Sequence, residues 1–112
     1  MLGLFNWKKE AIKKAKVLAI DMDGTLCEEE CWTNEEVYNA KPRLDVIHKV
    51  KKLSKSKFIV IMTARRLDLS EATIRWLNRY EVSYHAISFN KMPCDLLIDD
   101  KVMNVKDFLK EV

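Results

Sequence analysis

Two short stretches of this chain are apolar at almost every position: Lys16 to Asp21 (KVLAID) and Phe58 to Met62 (FIVIM). A strand with one wet face alternates apolar and polar residues. An uninterrupted run suits a central strand of a parallel sheet, covered on both faces. Between the two runs, Pro42–Ser54 places Val46, Ile47, Val50 and Leu53 in one stripe at helical spacing, with Pro42 suited to the first helical position. Strand, helix, strand in that order is the unit of a parallel α/β sheet with right-handed crossovers.

The same alternation continues. Ser70–Tyr80 reads as a helix, with Ser70 as its cap and Ile74, Leu77 and Trp76 facing inward. His85 to Phe89 reads as a third strand, Asp95 to Ile98 (DLLI) as a fourth, and Val105–Val112 as a closing helix with Phe108 and Leu109 inward. Ahead of the first strand, residues 1–16 hold an amphipathic helix from Asn6 to Lys16, built on Trp7, Ala11, Ile12 and Ala15. Residues 24–40 are acidic and irregular and read as a loop or small flap. The expected fold is α/β: one domain over 1–112, with helices on both faces of a parallel sheet of about four strands, the first of them central.

Composition removes several function classes. Only Gly3 and Gly24 occur, too few for a dinucleotide-binding GxGxxG or a GxxxxGK[ST] phosphate loop. No apolar run approaches the roughly 20 residues of a membrane span, and the apolar start is too short for a secretory signal. A cytoplasmic protein without a membrane partner is expected. The three cysteines, Cys27, Cys31 and Cys94, are odd in number, so reduced thiols are expected. With His48 and His85 badly placed to complete a zinc site, Cys27 and Cys31 read as small buried or loop thiols.

The net charge of +3 conceals an asymmetry. Residues 1–16 carry five lysines against Glu10, and residues 41–58 carry seven basic groups against Asp45. Residues 17–40 carry seven carboxylates and no lysine or arginine. The basic stretches read as solvated helix faces, and a nucleic-acid partner stays open.

In a parallel sheet, ligands bind beyond the carboxyl ends of the strands. Asp21 and Asp23 follow the first expected strand, Thr63 the second, Lys91 the third, and Asp99 and Asp100 the fourth, so all fall at one edge. Asp21 and Asp23, two apart, can point the same way before Gly24 turns the chain. Two such carboxylates repel each other and any phosphate, and a magnesium ion would remove that penalty. An EF-hand is ruled out, because Thr25 and Trp32 stand where its fifth and twelfth ligands belong.

Asp21-Met22-Asp23-Gly24-Thr25-Leu26 resembles the DxDGT[L/V] signature of haloacid dehalogenase (HAD) superfamily phosphatases. Thr63 in MTAR, Lys91, and the Asp99-Asp100 pair resemble the second, third and fourth motifs, in order, over residues 17–108. The stretches around Tyr38–Pro42, FNK and IDDK are similar to small capless members, some associated with capsular polysaccharide synthesis. The resemblance implies a three-layer α/β/α Rossmann-like core without a cap domain. It implies Asp21 as the nucleophile that forms an aspartyl-phosphate, and Asp23 as general acid and base. It further implies Thr63, Lys91 and Gly24 around the phosphate, and Mg2+ held by the Asp21 carboxylate, the Asp23 backbone carbonyl and Asp100, with Asp99 supporting Asp100 or reaching the ion through water. Arg65 and Arg66, following Thr63 at the site edge, read either as contacts to a substrate anion, Arg65 being the candidate, or as salt-bridged or solvated arginines. Met92 departs from the proline common after the motif-three lysine, which bears on the loop's shape, and a familiar fifth strand is missing.

The expected function is magnesium-dependent hydrolysis of a small phosphomonoester such as a sugar phosphate. Two alternatives stand beside it: a nucleotide or polynucleotide end phosphatase, and a non-catalytic phosphate-binding protein of this fold. With too few residues for a cap, a homo-oligomer is expected, in which a neighbour or the N-terminal helix covers the catalytic edge.

Overall fold

A computed structural model of the chain describes residues 7–111. Residues 1–6, and with them the apolar side chains of Leu2, Leu4 and Phe5, lie outside the described residues, as does Val112. The described residues form, in order, helix α1 (Trp7–Lys14), strand β1 (Val17–Asp21), helices α2 (Asn34–Asn39) and α3 (Leu44–Leu53), strand β2 (Phe58–Met62), a 3-10 turn (Leu67–Leu69), helix α4 (Ser70–Arg79), strand β3 (Ala86–Ser88) and helix α5 (Val105–Lys110).

The apolar runs become neighbouring parallel strands. Val17 pairs with Phe58 and Asp21 with Met62, while Val60, Ile61 and Met62 pair with Ala86, Ile87 and Ser88. The carboxyl ends of all three strands are therefore level. Ile20, Ile59 and Ile61 are buried with Met22, Leu26, Val37, Val46, Ile47, Val50, Trp76 and Leu77 in one core. The other face of β2 is thinner: Phe58 is largely exposed and stacks on the His85 ring at 5.0 Å. His85 itself exchanges hydrogen bonds with Ile59, accepting from its N–H at Nδ1 (3.0 Å) and donating to its carbonyl (2.9 Å), a purely structural role.

Several expectations are corrected. Among the described residues the sheet has three strands in the order β1-β2-β3, so β1 is an edge strand and not the centre of four. Asp95–Ile98 is not a strand: Leu96 is 76% and Ile98 88% exposed. A run's hydrophobicity shows that it favours burial but does not supply the ladder partner a strand needs. Here the Lys91 N–H is held by the Thr63 carbonyl (3.3 Å), and the chain beyond it lines the top of a cavity instead of running beside β1. In α4, Ile74 points outward and Ala72, Thr73, Trp76 and Leu77 point in, and the N-cap residue is Leu69, not Ser70.

Residues 24–43 form an ordered excursion. Arg43 donates to the Leu26 carbonyl (2.8 Å) and Glu28 to that of Lys41 (3.0 Å), which closes its neck. Pro42 sits in this neck, bridged to Cys27, and α3 starts two residues later than its position suggested. Inside the excursion, Thr33 and Glu36 make a capping box: the Thr33 hydroxyl accepts from Glu36 N–H (3.1 Å) and the Glu36 carboxylate from Thr33 N–H (3.0 Å). Trp76 donates its indole N–H to the Ala40 carbonyl (3.0 Å) and pins the returning chain to α4.

Candidate active site

Asp21 ends β1, and its carboxylate is doubly held. One oxygen accepts from the Met22 N–H at 2.8 Å, and the other faces the Lys91 ammonium at 3.1 Å. Lys91 reaches it because the Thr63 N–H donates to the Ser88 carbonyl (2.9 Å) and the Lys91 N–H to that of Thr63, extending the β2–β3 ladder past the strand ends. Thr63 is buried, and its hydroxyl oxygen accepts from the Arg65 N–H at 3.1 Å, which leaves the hydroxyl proton to be donated elsewhere. Asp21, Asp23, Thr63 and Lys91 all line one cavity of about 330 Å3, with Glu30, Cys31, Trp32, Arg65, Arg66, Cys94 and Leu97 among its other walls.

Gly24 supplies the turn that makes this possible. Its φ is +80°, a conformation that side chains disfavour, although no atom crowds the position. The turn lets the N–H groups of Thr25, Leu26 and Cys27 converge on the Met22 carbonyl at 3.0–3.2 Å. Gly24 itself does not line the cavity.

Asp23 has a partner that sequence reasoning missed. Arg65, with a side chain only 1% exposed, donates from Nε to one Asp23 oxygen (3.0 Å) and pairs with the same oxygen through Nη2. Its Nη1 donates to the buried Thr73 hydroxyl at 2.9 Å. The guanidinium is thus taken up by the protein, the salt-bridged of the two readings the sequence left open. Its neighbour Arg66 is exposed and pairs with Asp68. The signal for Arg65 was faint: an arginine two residues beyond Thr63 and, one helix on, a threonine among the inward positions of α4.

Two thiols complete the surroundings of Asp23. The Cys27 sulfur lies 3.6 Å from an Asp23 oxygen and 3.3 Å from the Glu29 carbonyl, and the Cys31 N–H lies 3.5 Å from the second Asp23 oxygen. Burial, reinforced by the Asp23 charge, pushes the Cys27 thiol up to about 12, and burial raises Cys31 as well. Both are inert as nucleophiles in this state.

The chain resembles two solved structures. One is a target protein from Vibrio cholerae, 27% identical, with a TM-score of 0.70 over 84% of this chain and 87% of that one. The other is a chain of the Pnkp1/Rnl/Hen1 complex, 19% identical, with a TM-score of 0.58 over 73% of this chain but only 31% of that one. No family model and no curated protein sequence matches the chain. These likenesses support a shared mixed α/β fold.

The remaining expected site residues stand apart. Asp99 and Asp100 are exposed and do not line the cavity. A hydrogen bond with the Asp100 side chain and one from the Lys101 N–H (3.1 Å) hold Asp99 below the usual carboxylate range. Trp32, in the acidic stretch 24–40, is 66% exposed on the cavity wall. No described residue of α1 lines the cavity; Lys8 pairs with Asp107 of α5 at 2.6 Å. Among the described residues no helix is long and apolar enough to cross a membrane.

Proposed function

We propose that the chain is a phosphomonoester hydrolase working through an aspartyl-phosphate on Asp21. The observation that carries this reading is the Asp21 carboxylate at the end of β1, paired with Lys91 and sharing one cavity with Asp23 and Thr63. A carboxylate that attacks phosphorus needs a cation to offset the charge gathering around the phosphoryl oxygens, and Lys91 supplies one. Thr63, its oxygen already fixed by Arg65, can give its proton to a phosphoryl oxygen. Asp23 has one oxygen held by Arg65, which leaves the second to protonate the leaving group and then to take a proton from the hydrolytic water. Phosphoryl transfer asks mainly for positioning and charge compensation of this kind.

The donor set fits magnesium: Asp21 and Asp23 offer hard oxygen donors at the cavity. Magnesium bound there would neutralise the repulsion between these carboxylates and a phosphate. Asp99 and Asp100, exposed and outside the cavity, are not placed to join them.

A screen of sugar phosphates, nucleotides and 3′-phosphorylated DNA, run with magnesium and with chelator, tests the reading. Turnover that vanishes on chelation and returns with magnesium is expected; full activity after thorough chelation would contradict the metal assignment. The exposed Trp32 at the cavity favours a second reading, in which the phosphate is carried by a nucleotide or a polynucleotide end whose ring stacks on the indole.

Lysine substitutions separate the two. If the substrate is small, Lys91→Ala is expected to lower kcat/KM by about a hundredfold or more, whereas Lys51→Ala and Lys52→Ala on α3 should change it by no more than about twofold. The reverse ranking would favour a polynucleotide tracking along the basic helix.

A further inference from the structure

We propose that Asp23, Cys27 and Cys31 form a second cation site, for a thiophilic divalent ion such as zinc, whose sulfur donors set it apart from the oxygen donors suited to magnesium. One ligand atom from each of the three residues lies within 4.8 Å of the others. A triangle with sides no longer than 4.8 Å has a centre within about 2.8 Å of each corner, so a contraction of roughly half an ångström reaches a zinc–sulfur bond of about 2.3 Å. The pieces are held in place before any ion arrives. Cys27 sits at the closed neck of the excursion, Cys31 is tied to Asp23 through its N–H, and the Glu29 carbonyl lies 3.3 and 3.8 Å from the two sulfurs. Cys31 also lines the cavity, which gives an ion a way in and a water a fourth position.

Charge favours the exchange. With both thiols protonated, the ion pair of Asp23 and Arg65 leaves the cluster neutral. Forming two metal–sulfur bonds releases two protons to solvent as two positive charges enter, so the loaded cluster is neutral too. Burial therefore does not oppose the ion as it would an uncompensated charge. The two cysteines alone fall short of a site; the third ligand is Asp23, just past β1, which the turn at Gly24 leaves 3.6 Å from the Cys27 sulfur. An ion here would occupy the carboxylate proposed for proton transfer and so inhibit turnover. That consequence rests on the phosphatase reading, whereas the binding does not.

The test uses the full chain with Cys94→Ser, so that the exposed thiol does not compete, and cadmium as a spectroscopic probe. Titration is expected to raise a thiolate-to-cadmium charge-transfer band that saturates at one equivalent, survives excess magnesium and also forms in Asp21→Asn. Cys31→Ala should weaken binding by about a hundredfold or more and shrink the band. Should that variant fail to fold, Asp23→Asn gives the second reading: weaker binding with the band retained. Zinc, which gives no band, should displace cadmium and raise the melting temperature of the parent chain. Absence of a band at excess cadmium, or a band indifferent to both substitutions, would overturn the site. Loss of phosphatase activity in every preparation would leave these binding results unchanged and would count only against the catalytic reading.

Discussion

Asp21→Asn is expected to lower turnover of p-nitrophenyl phosphate by at least about a thousandfold, the scale on which removing a catalytic nucleophile acts. The melting temperature should barely change. The amide is nearly isosteric with the carboxylate and can still accept the Met22 N–H that now meets one Asp21 oxygen at 2.8 Å. What it loses is charge and nucleophilicity. The ion pair to Lys91 at 3.1 Å goes with the charge, but both side chains are about a third exposed, so solvent limits its worth to about 1 kcal/mol or less. Steady-state kinetics beside a thermal melt check both halves. Activity above about a tenth of the parent's, in a correctly folded variant, would remove the covalent mechanism, since among the described residues no other carboxylate lining the cavity carries a lysine partner. A collapse in stability with little catalytic loss would instead make Asp21 and Lys91 a structural pair.

The sequence made this prediction available because strand ends are easy to read. KVLAID and FIVIM are nearly continuous apolar runs, the first closing on Asp21 and the second followed at once by Thr63, and parallel pairing in level register then brings these two residues to one edge. Lys91 follows because β3 is short and its chain continues along Thr63. Other features were not legible for equally physical reasons. The run DLLI has the hydrophobicity of a strand, yet pairing is a contest between partners far apart in sequence, and here the chain from Lys91 lines the cavity instead. Residues 24–40 looked irregular because charge hid their order, although Thr33 and Glu36 at capping-box spacing already marked a helix start. Arg65 could not be placed by pattern alone. A charged residue beside a catalytic motif suggests substrate, and only packing under α4 and against Thr73 turned it inward. The oligomer expectation came from the lack of room for a cap, with a neighbour or the N-terminal helix as the cover; the described part of that helix does not line the cavity.

Arg65→Met should destabilise the protein by about 2–3 kcal/mol, below the roughly 3–5 kcal/mol for breaking a fully buried ion pair, because the Asp23 side chain keeps 21% exposure. For a domain of this size that corresponds to a fall in melting temperature of roughly 10 °C. Methionine fills most of the space but returns no donor to the Asp23 oxygen or to the fully buried Thr73 hydroxyl. The catalytic effect should follow leaving-group basicity. With Asp23 no longer aimed, phosphate esters of poor leaving groups should lose more turnover than p-nitrophenyl phosphate, whose phenolate hardly needs a proton. Arg65→Lys restores charge without the paired Nε and Nη2 donors and should recover only part of the stability. Urea unfolding of Arg65→Met, Asp23→Asn and the double variant measures the pair directly. The double variant should be less destabilised than the sum of the two single changes, because the second change removes a charge already stranded by the first. Strict additivity, or Arg65→Met as stable as the parent with uniform losses across leaving groups, would show that Arg65 neither holds nor orients Asp23.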